Sequence, residues 1–390
     1  MKFLKYFFFR RKIKFPEILP GPLKFKVAQT KEEYLAAARV LYSSYLEKGY
    51  TSENEHGLRL TPYHLLPSTT VILALWDNEV IGTVSLIRDN PLGLPLEQVF
   101  DVRGLRIRHQ VLCEVSALAI KKEFRGASGE VFHSLVRYMW NYALHYFGVD
   151  YLVIAVNPSM YELYEAVYYF EPLERLSRVE NYDFANNNPA VGEFIPLKTS
   201  FELFKQKYGD SPFRRNLYSF MNQVSQNHDQ FPERKYFSHL DSPVTVSWVR
   251  EMKTLIPKFD QEPHVRDGLA QAHGFRTYSE VQSGKLTQRP RVPVSFRVNN
   301  FDTSRVVDVS QGGLKLFVDP SVQFHRDTPV VLNCQVSMDE NATVLAEPLW
   351  ENKNGLVGLR VRDQSRAWEK MINTIVTTGP GEEGPTKNAA

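Results

Sequence analysis

The sequence predicts an α+β protein: a mixed sheet flanked by helices, then a helical connector, then a small β-barrel. Three observations predict it. Residues 23–200 alternate between β-branched strand patterns and helix-period patterns. Residues 201–284 carry helical runs (Phe201 to Tyr208, Arg215 to Gln226, Val244 to Leu255) broken by Gly209-Asp210-Ser211-Pro212, Pro232 and Pro257. From residue 285 onward, short strands including Pro329 to Val336, Ala342 to Trp350 and Leu356 to Val361 read as a barrel. The expected divisions are therefore 1–22, a basic aromatic segment; 23–200, the sheet domain; 201–284, the connector; 285–376, the barrel; and 377–390, a Gly, Pro, Glu and Lys-rich tail that reads as disordered.

Composition narrows the function classes. At 390 residues and 43% hydrophobic content, the chain can bury two or three cores. A net charge of +3 from 47 basic and 44 acidic side chains is too balanced for a nucleic-acid binder. Cys113 and Cys334 lie far apart in apolar runs and read as small core hydrophobes, which fits a reducing compartment; no metal site is expected.

Met1 to Phe15 sets Lys2, Lys5, Arg10, Arg11, Lys12 and Lys14 among Phe3, Leu4, Tyr6, Phe7, Phe8, Phe9 and Phe15. Its apolar run is far shorter than the roughly 20 residues that cross a bilayer, and no small-residue cleavage site follows, so a cytoplasmic protein is expected. Such a segment either sits at an anionic membrane surface, at the inner membrane face, or packs on its own protein or stays disordered.

Within the sheet domain, Leu23 to Ala28 reads as a strand and Lys31 to Lys48 as a helix with Tyr34, Leu35, Ala38, Leu41, Tyr42 and Tyr45 at helical spacing. Val71 to Trp76 and Val80 to Ile87 form a hairpin around Asp77-Asn78-Glu79, and a Pro/Gly-rich stretch with a charged connection precedes the central strand, VLCEVSALAI, from Val111. A tight basic turn, Lys121 to Gly129, opens a helix whose Phe132, Leu135, Val136, Met139 and Ala143 face the sheet while His133, Arg137 and Asn141 mark the other side. Tyr151 to Val156 is an interior strand, Asn157-Pro158 opens an aromatic helix, and Phe170 to Leu173 and Val191 to Leu197 close the sheet. A turn between strand and helix gathers backbone N–H groups and a positive dipole end, which suits a phosphate, here that of a pyrophosphate or phosphopantetheine arm.

This element order resembles the GNAT acyltransferase fold. The blocks YLEKGY (Tyr45 to Tyr50), LRLTPYHLLP (Leu58 to Pro67), NPLGLPLE (Asn90 to Glu97), CEVSALAI (Cys113 to Ile120), FRG (Phe124 to Gly126) and IAVNPSMYELYEAVYYFEPL (Ile154 to Leu173) are similar to the FeeM-like N-acyl amino acid synthases, relatives of the acyl-homoserine-lactone synthases. The resemblance, over about residues 23–200, implies transfer of a long acyl chain from acyl carrier protein, or from acyl-coenzyme A, to the amine of an amino acid, with no further cofactor.

On that footing Ala119, Ile120, Arg125, Gly126, Ala127, Ser128, Gly129 and Asn157 are expected around the acyl donor, with Ser128 standing where the acetyltransferase spacing has Gly or Ala. Glu114 shares a strand face with Ser116 and Leu118. It either takes a proton from, or holds, the attacking amine, or it pairs with Arg59 or Arg88. Arg59, His64 and Ser116 are expected substrate contacts, His64 having an ordinary structural role as its alternative. A tyrosine on the helix after Asn157, Tyr161 or Tyr164, is implied to protonate the leaving thiolate; their spacing puts Tyr161, Tyr164 and Tyr168 on one side.

The C-terminal block resembles a PilZ domain, which implies cyclic di-GMP binding by an RxxxR arm and a D/N-x-S-x-x-G strand motif. Asp308, Ser310 and Gly313 fill the second. In the arm, taking Arg291 as second arginine puts Thr287 in the first slot, and taking Arg289 puts Lys285 there; Arg289 and Arg291 are the expected phosphate contacts. The expected function is thus an N-acyltransferase under cyclic di-GMP control, the alternatives being a non-catalytic effector or a membrane-surface scaffold.

Overall fold

Thr30 starts the first long helix because its Oγ1 accepts the N–H of Glu33 at 3.2 Å, satisfying an otherwise orphan donor of the first turn. Asp77 and Asn78, both at positive φ, make the two-residue turn whose twist matches the strands it joins. The computed structural model describes residues 2–126, 129–173, 177–225, 227–256, 259–275, 278–283, 291–301, 304–318, 322, 324–325, 328–352 and 355–377. Two units separate: residues 1–64, 68–232 and 254–257, and residues 65–67, 233–253 and 258–390.

In the first unit, α1 (Lys2–Lys12), β1 (Leu23–Val27), α2 (Lys31–Glu47), β2 (Thr69–Trp76), β3 (Glu79–Arg88) and β4 (Leu112–Ile120) lead to α3 (Glu130–His145) and β5 (Tyr151–Val156). Then come α4 (Tyr161–Leu163), continued by a π-helical turn over Tyr164–Tyr168, and β6 (Glu171–Pro172), β7 (Arg178–Tyr182) and β8 (Asn188–Pro196). The unit ends with α5 (Leu197–Tyr208), α6 (Leu217–Met221) and β9 (Asp229–Gln230). The nine-stranded mixed sheet runs β6-β8-β5-β4-β3-β2-β1-β9, with β7 also on β8; β4–β5 and β1–β9 are parallel pairs.

The polar side of α3 is buried as well as the side that faces the sheet: His133, Arg137 and Asn141 all lie inside. Arg137 donates twice to Asp229, at 2.9 and 3.0 Å, Asn141 donates to the Met221 carbonyl at 2.9 Å, and His133 meets the Tyr168 hydroxyl at 2.6 Å. Residues 201–232 are therefore the second cover of α3 and part of the sheet unit, while residues 233–253 belong with the barrel; the connector is divided. The N-terminal segment, for its part, packs on its own unit. Tyr6 bonds the Tyr161 hydroxyl at 3.0 Å and Glu165, Arg10 donates to the Ala166 carbonyl at 3.2 Å, and Phe15 is buried, stacked on Phe220 at 4.9 Å. The outer face keeps Leu4, Phe7 and Phe8 exposed.

The second unit holds α7 (Val246–Met252), α8 (Pro263–Ala272), α9 (Tyr278–Ser283) and a closed antiparallel barrel of β10 (Val292–Val298), β11 (Arg305–Ser310), β12 (Gly313–Phe317), β13 (Val330–Gln335), β14 (Asn341–Glu351) and β15 (Leu356–Gln364). Closure through β10–β13 removes free edges. Phe296, Val306, Leu316, Leu332 and Val357 fill it, and α10 (Arg366–Ile372) adds Trp368 and Met371 to the same core. The D-x-S-x-x-G motif is a hairpin rather than one strand: Asp308 and Ser310 end β11, and Gly313 opens β12. The tail from 378 onward, Ala127, Ser128, Lys285, Thr287 and Arg289 lie outside the described residues. Among the described residues no helix is long and apolar enough to cross a membrane, and no cluster of His, Cys, Asp or Glu could hold a metal ion.

Candidate active site

Strand β4 makes the site by failing to pair. It is hydrogen-bonded to β5 only from Leu112 to Glu114, opposite Tyr151 to Val153, after which the two parallel strands splay. On its other edge, Ser85 pairs with Ser116 and Thr83 with Ala119, so Ala117 and Leu118 together oppose Val84. This is a bulge, and Ala117 sits at φ +53°, the left-handed region that alanine seldom adopts. The strict alternation expected along β4 therefore ends at Ser116. The splay opens a cleft of about 420 Å³ lined by residues 114–120 of β4, 154–157 at the end of β5, Tyr45, Tyr164 and Tyr182.

Glu114 stands where pairing stops. It is 2% exposed, and its Oε2 accepts the N–H of Leu96 at 2.8 Å. No cation lies within ion-pair distance of it among the described residues; Arg88 instead donates to the Gly148 carbonyl at 3.3 Å. Burial pushes its carboxyl up to about 8, the charge of Glu97 adding to this and the Leu96 N–H opposing it. Leu96 belongs to a 3-10 turn, Pro95–Gln98, that is itself held: Glu97 accepts the Leu94 N–H at 2.8 Å, and Arg106 grips Glu97 at 2.6 and 2.7 Å and Asp89 at 2.7 and 3.0 Å. The charged connection before β4 is thus the support of Glu114, a role that its composition alone does not reveal.

Across the cleft, Tyr164 lines the wall from the π-helical turn. Burial, with Glu193 and Tyr45 nearby, raises its phenol above the usual range, so it holds its proton. Tyr161 does not join it. Tyr161, on the short α4, meets Tyr6 and does not line the cleft, while Tyr168, at the end of the π turn, lies in the core against His133. His64 is also elsewhere. Its Nδ1 accepts the Thr61 N–H at 3.1 Å and meets Thr61 Oγ1 at 2.8 Å, burial lowers it to about 4, and it borders a small internal cavity beneath Ala117. Arg59 lies behind the cleft wall, between the rings of Tyr45 at 5.0 Å and Phe184 at 5.5 Å.

At the donor end, Ser116, Ala119, Ile120, Arg125, Gly129 and Asn157 line the cleft, whereas Gly126 does not. Gly129, at φ +65°, opens α3, whose first-turn N–H groups have no partner within the helix and carry the positive end of its dipole. Arg125 is already engaged: it donates to the Ile120 carbonyl at 2.7 Å, Glu47 at 2.7 Å and Ser44 at 3.1 Å, tying the end of α2 to the end of β4. Lys48, one residue past α2 in the YLEKGY block, lines the cleft with no carboxylate partner among the described residues, and no single motif had singled it out.

Residues 36–193 match the family model described as N-acyl amino acid synthase FeeM. The chain is similar to that family over this segment. The first unit is accordingly an acyltransferase with a GNAT-like fold. Among solved structures, FeeM from uncultured soil microbes is 23% identical, covering 46% of this chain and 93% of its own, with a TM-score of 0.39. The coenzyme A-dependent acyl-homoserine lactone synthase BjaI is 14% identical, covering 49% and 92%, with a TM-score of 0.36, and the acyl-homoserine lactone synthase LasI is 12% identical, covering 46% and 92%, at 0.34. No curated protein matches the sequence.

The barrel has a surface depression of about 550 Å³ at the motif hairpin, bordered by Arg291, Ser310, Gly313, Lys315, Trp350 and Arg360. Asp308 is gripped by Arg291 and by Lys315 at 2.9 Å, and Ser310 donates to the Gly313 carbonyl at 3.2 Å. A Cβ at Gly313 would stand 2.9 Å from the Leu359 carbonyl, so the β12–β15 approach requires glycine there.

Proposed function

We propose that this FeeM-type domain transfers a long acyl chain from a phosphopantetheine thioester to the amine of an amino acid. The observation that carries the reading is Glu114, a buried carboxyl without a cationic partner among the described residues, at the mouth of splayed strands, its affinity for a proton raised into the range where an ammonium can surrender one. In this scheme Glu114 takes a proton from the ammonium, and the free amine attacks the thioester carbonyl. Backbone N–H groups of β4 beyond Glu114, which β5 does not use, suit the oxyanion. As the C–S bond breaks, Tyr164 gives its proton to the thiolate and recovers one from the nitrogen of the new amide, so one proton is left on Glu114 for release to water. The N-terminus of α3 and Lys48 suit the phosphates of the donor arm. Purified protein given dodecanoyl-carrier protein and dodecanoyl-coenzyme A in separate reactions with each proteinogenic amino acid tests the reading, N-acyl amino acid by mass spectrometry being the expected product; its absence with both donors would end it.

Two finer parts belong to the same proposal. Cyclic di-GMP suits the barrel depression, where three cationic side chains and the 40% exposed Trp350 offer phosphate contacts and a stacking face. An anionic membrane surface suits the outer face of α1, where Leu4, Phe7 and Phe8 stand among Lys5, Arg11 and Lys12.

A further inference from the structure

The π-helical turn that carries Tyr164 is held by side chains from outside residues 36–193. Its helical bonding stops early. The N–H groups of Tyr169 and Phe170 both go to the Tyr164 carbonyl, the second at 3.2 Å, and the chain leaves through Tyr169 at φ +60°, a conformation that tyrosine seldom adopts. A helix that ends this way leaves carbonyls of its last turn to be satisfied from elsewhere. Two side chains do so: Arg10 of α1 donates to the Ala166 carbonyl at 3.2 Å, and Tyr208 of α5 donates to the Val167 carbonyl at 2.9 Å. The same two groups frame Tyr169. Arg10 donates to its hydroxyl at 3.0 Å and lies over its ring at 5.6 Å, and Tyr208 meets that ring edge to face at 5.9 Å. A left-handed non-glycine residue persists only where its surroundings over-determine it, and π turns recur at functional positions. Here the turn begins at Tyr164, which lines the cleft, and the Tyr164 ring packs on Tyr168 at 6.1 Å and Phe170 at 5.7 Å, at the other end of the same turn. A shift at that end is therefore felt at Tyr164.

We infer that Arg10 and Tyr208 are positioning residues for acyl transfer: by capping the Ala166 and Val167 carbonyls they fix the π-helical turn, and with it the place of Tyr164 in the cleft. Helices α1 and α5 are then working parts of the site and not only its cover. This rests on the acyl-transfer reading, in which Tyr164 protonates the leaving thiolate. Neither Arg10 nor Tyr208 lines the cleft, so the loss of either acts through the geometry of that one proton transfer, where a small misplacement of the donor is costly, and leaves Glu114 and the donor end untouched.

The test compares Arg10→Met, Arg10→Lys and Tyr208→Phe in the full chain on two dodecanoyl donors: the coenzyme A thioester, whose thiolate needs a proton, and the thioester of para-nitrothiophenol, whose thiolate leaves without one. Tyr164→Phe sets the benchmark, a large loss on the first donor and a smaller one on the second. On the first donor Arg10→Met and Tyr208→Phe should lower kcat about tenfold with KM little changed, and Arg10→Lys, which keeps a donor and a charge, should recover most of it. On the second donor the same losses should shrink to about twofold or less. Equal losses on both donors overturn the inference, because they would mark general damage to the fold or to donor binding, and so does an unchanged kcat on the first. Backbone hydrogen exchange followed by mass spectrometry reads the turn without any reaction. Residues 161–170 should exchange faster in Arg10→Met and Tyr208→Phe while β4 exchanges as in the wild type, and unchanged exchange over 161–170 overturns the clamp whatever the activity. If the wild type transfers no acyl group and the variants still loosen residues 161–170, the acyl-transfer reading falls, and the catalytic use of Tyr164 with it, while the clamp on the turn stands.

Discussion

The Leu96 N–H donates to Glu114 Oε2 at 2.8 Å, and it is the one hydrogen bond that this buried carboxyl receives from the described residues. The donor is fixed from behind, because Glu97 caps the turn and Arg106 holds Glu97 and Asp89 together. A single backbone donor stabilises the carboxylate, while burial and the Glu97 charge oppose it more strongly. The net result is a group that changes charge near neutrality and points at the splay between β4 and β5. A structural ion pair would have driven the carboxyl the other way.

Glu114→Gln should lower kcat by more than about tenfold while the fold persists, since the amide keeps the volume and can still accept from Leu96. Wild-type kcat/KM should climb with pH toward a plateau above about 8, where the carboxylate is the base, and the variant should lose that limb. Stability moves oppositely. The folded-state affinity for the proton is raised, so this group's stabilising contribution is complete below pH 4.5 and is lost as pH rises through about 8. Glu114→Gln should therefore gain relative stability between those limits, as measured by denaturant unfolding at pH 5 and pH 9. An unaltered pH–rate limb in the variant would remove Glu114 as the base.

The Arg137–Asp229 pair predicts where the first unit ends. Both side chains are almost fully buried, at 1% and 2% exposure. Removing one member leaves the other charge stranded, at a cost of about 3–5 kcal/mol, so Arg137→Met should sharply lower the unfolding free energy. A fragment ending at residue 200 should fail to give a stable soluble fold because α3 loses its outer cover, whereas one ending at residue 232 keeps it. Limited proteolysis and thermal melting of the two fragments check this, and equal stability would show that residues 201–232 are dispensable.

Much of this architecture is written in local pattern. The Asp77-Asn78 turn, the apolar strand from Tyr151 and the glycine opening α3 are short-range signals, and the structure carries each in place. What pattern does not carry is partnership across distance. His133, Arg137 and Asn141 mark the polar side of α3 in the sequence, but nothing local tells that Tyr168, Asp229 and the Met221 carbonyl arrive from elsewhere in the chain. The same holds within the site. The Glu-Val-Ser strand marks Glu114, but a bulge at an ordinary alanine redirects the residues after it, and Tyr161 is taken up by Tyr6 of the N-terminal helix while Tyr164 lines the cleft.

The N-terminal helix divides into an inner face bound to the Tyr161–Tyr169 element and an outer face of Leu4, Phe7 and Phe8. Replacing these three by serine should abolish sedimentation with anionic vesicles and leave the melting temperature unchanged, because none is buried. Each Lys or Arg near an anionic surface adds about 1 kcal/mol, so binding should weaken with salt. Deleting residues through Phe15, by contrast, removes a buried ring from Phe220 and should destabilise the unit. Wild-type protein that never sediments with such vesicles would refute the membrane surface.

In the barrel, Arg291 is committed to Asp308, which also holds Lys315, so a phosphate must win the guanidinium from a carboxylate already in contact. That exchange is favourable only if the ligand brings more than one charge and a second contact, and Arg360 with the exposed face of Trp350, whose ring lies against Gly358, supplies both at the same depression. Calorimetry with cyclic di-GMP should then show binding that Arg291→Ala weakens by roughly tenfold or more, a charged contact being worth about 1.5–3 kcal/mol, and that added salt also weakens. Trp350→Ala should lose affinity with little change in the salt slope, since stacking releases no counterions, whereas Arg291→Ala should lower that slope. Heat from the wild type that persists undiminished in both variants would place the nucleotide elsewhere on the protein. Neither heat nor a thermal shift at high nucleotide concentration would mean that the Arg291–Asp308–Lys315 cluster only stitches β11 to β12, leaving the barrel without this ligand.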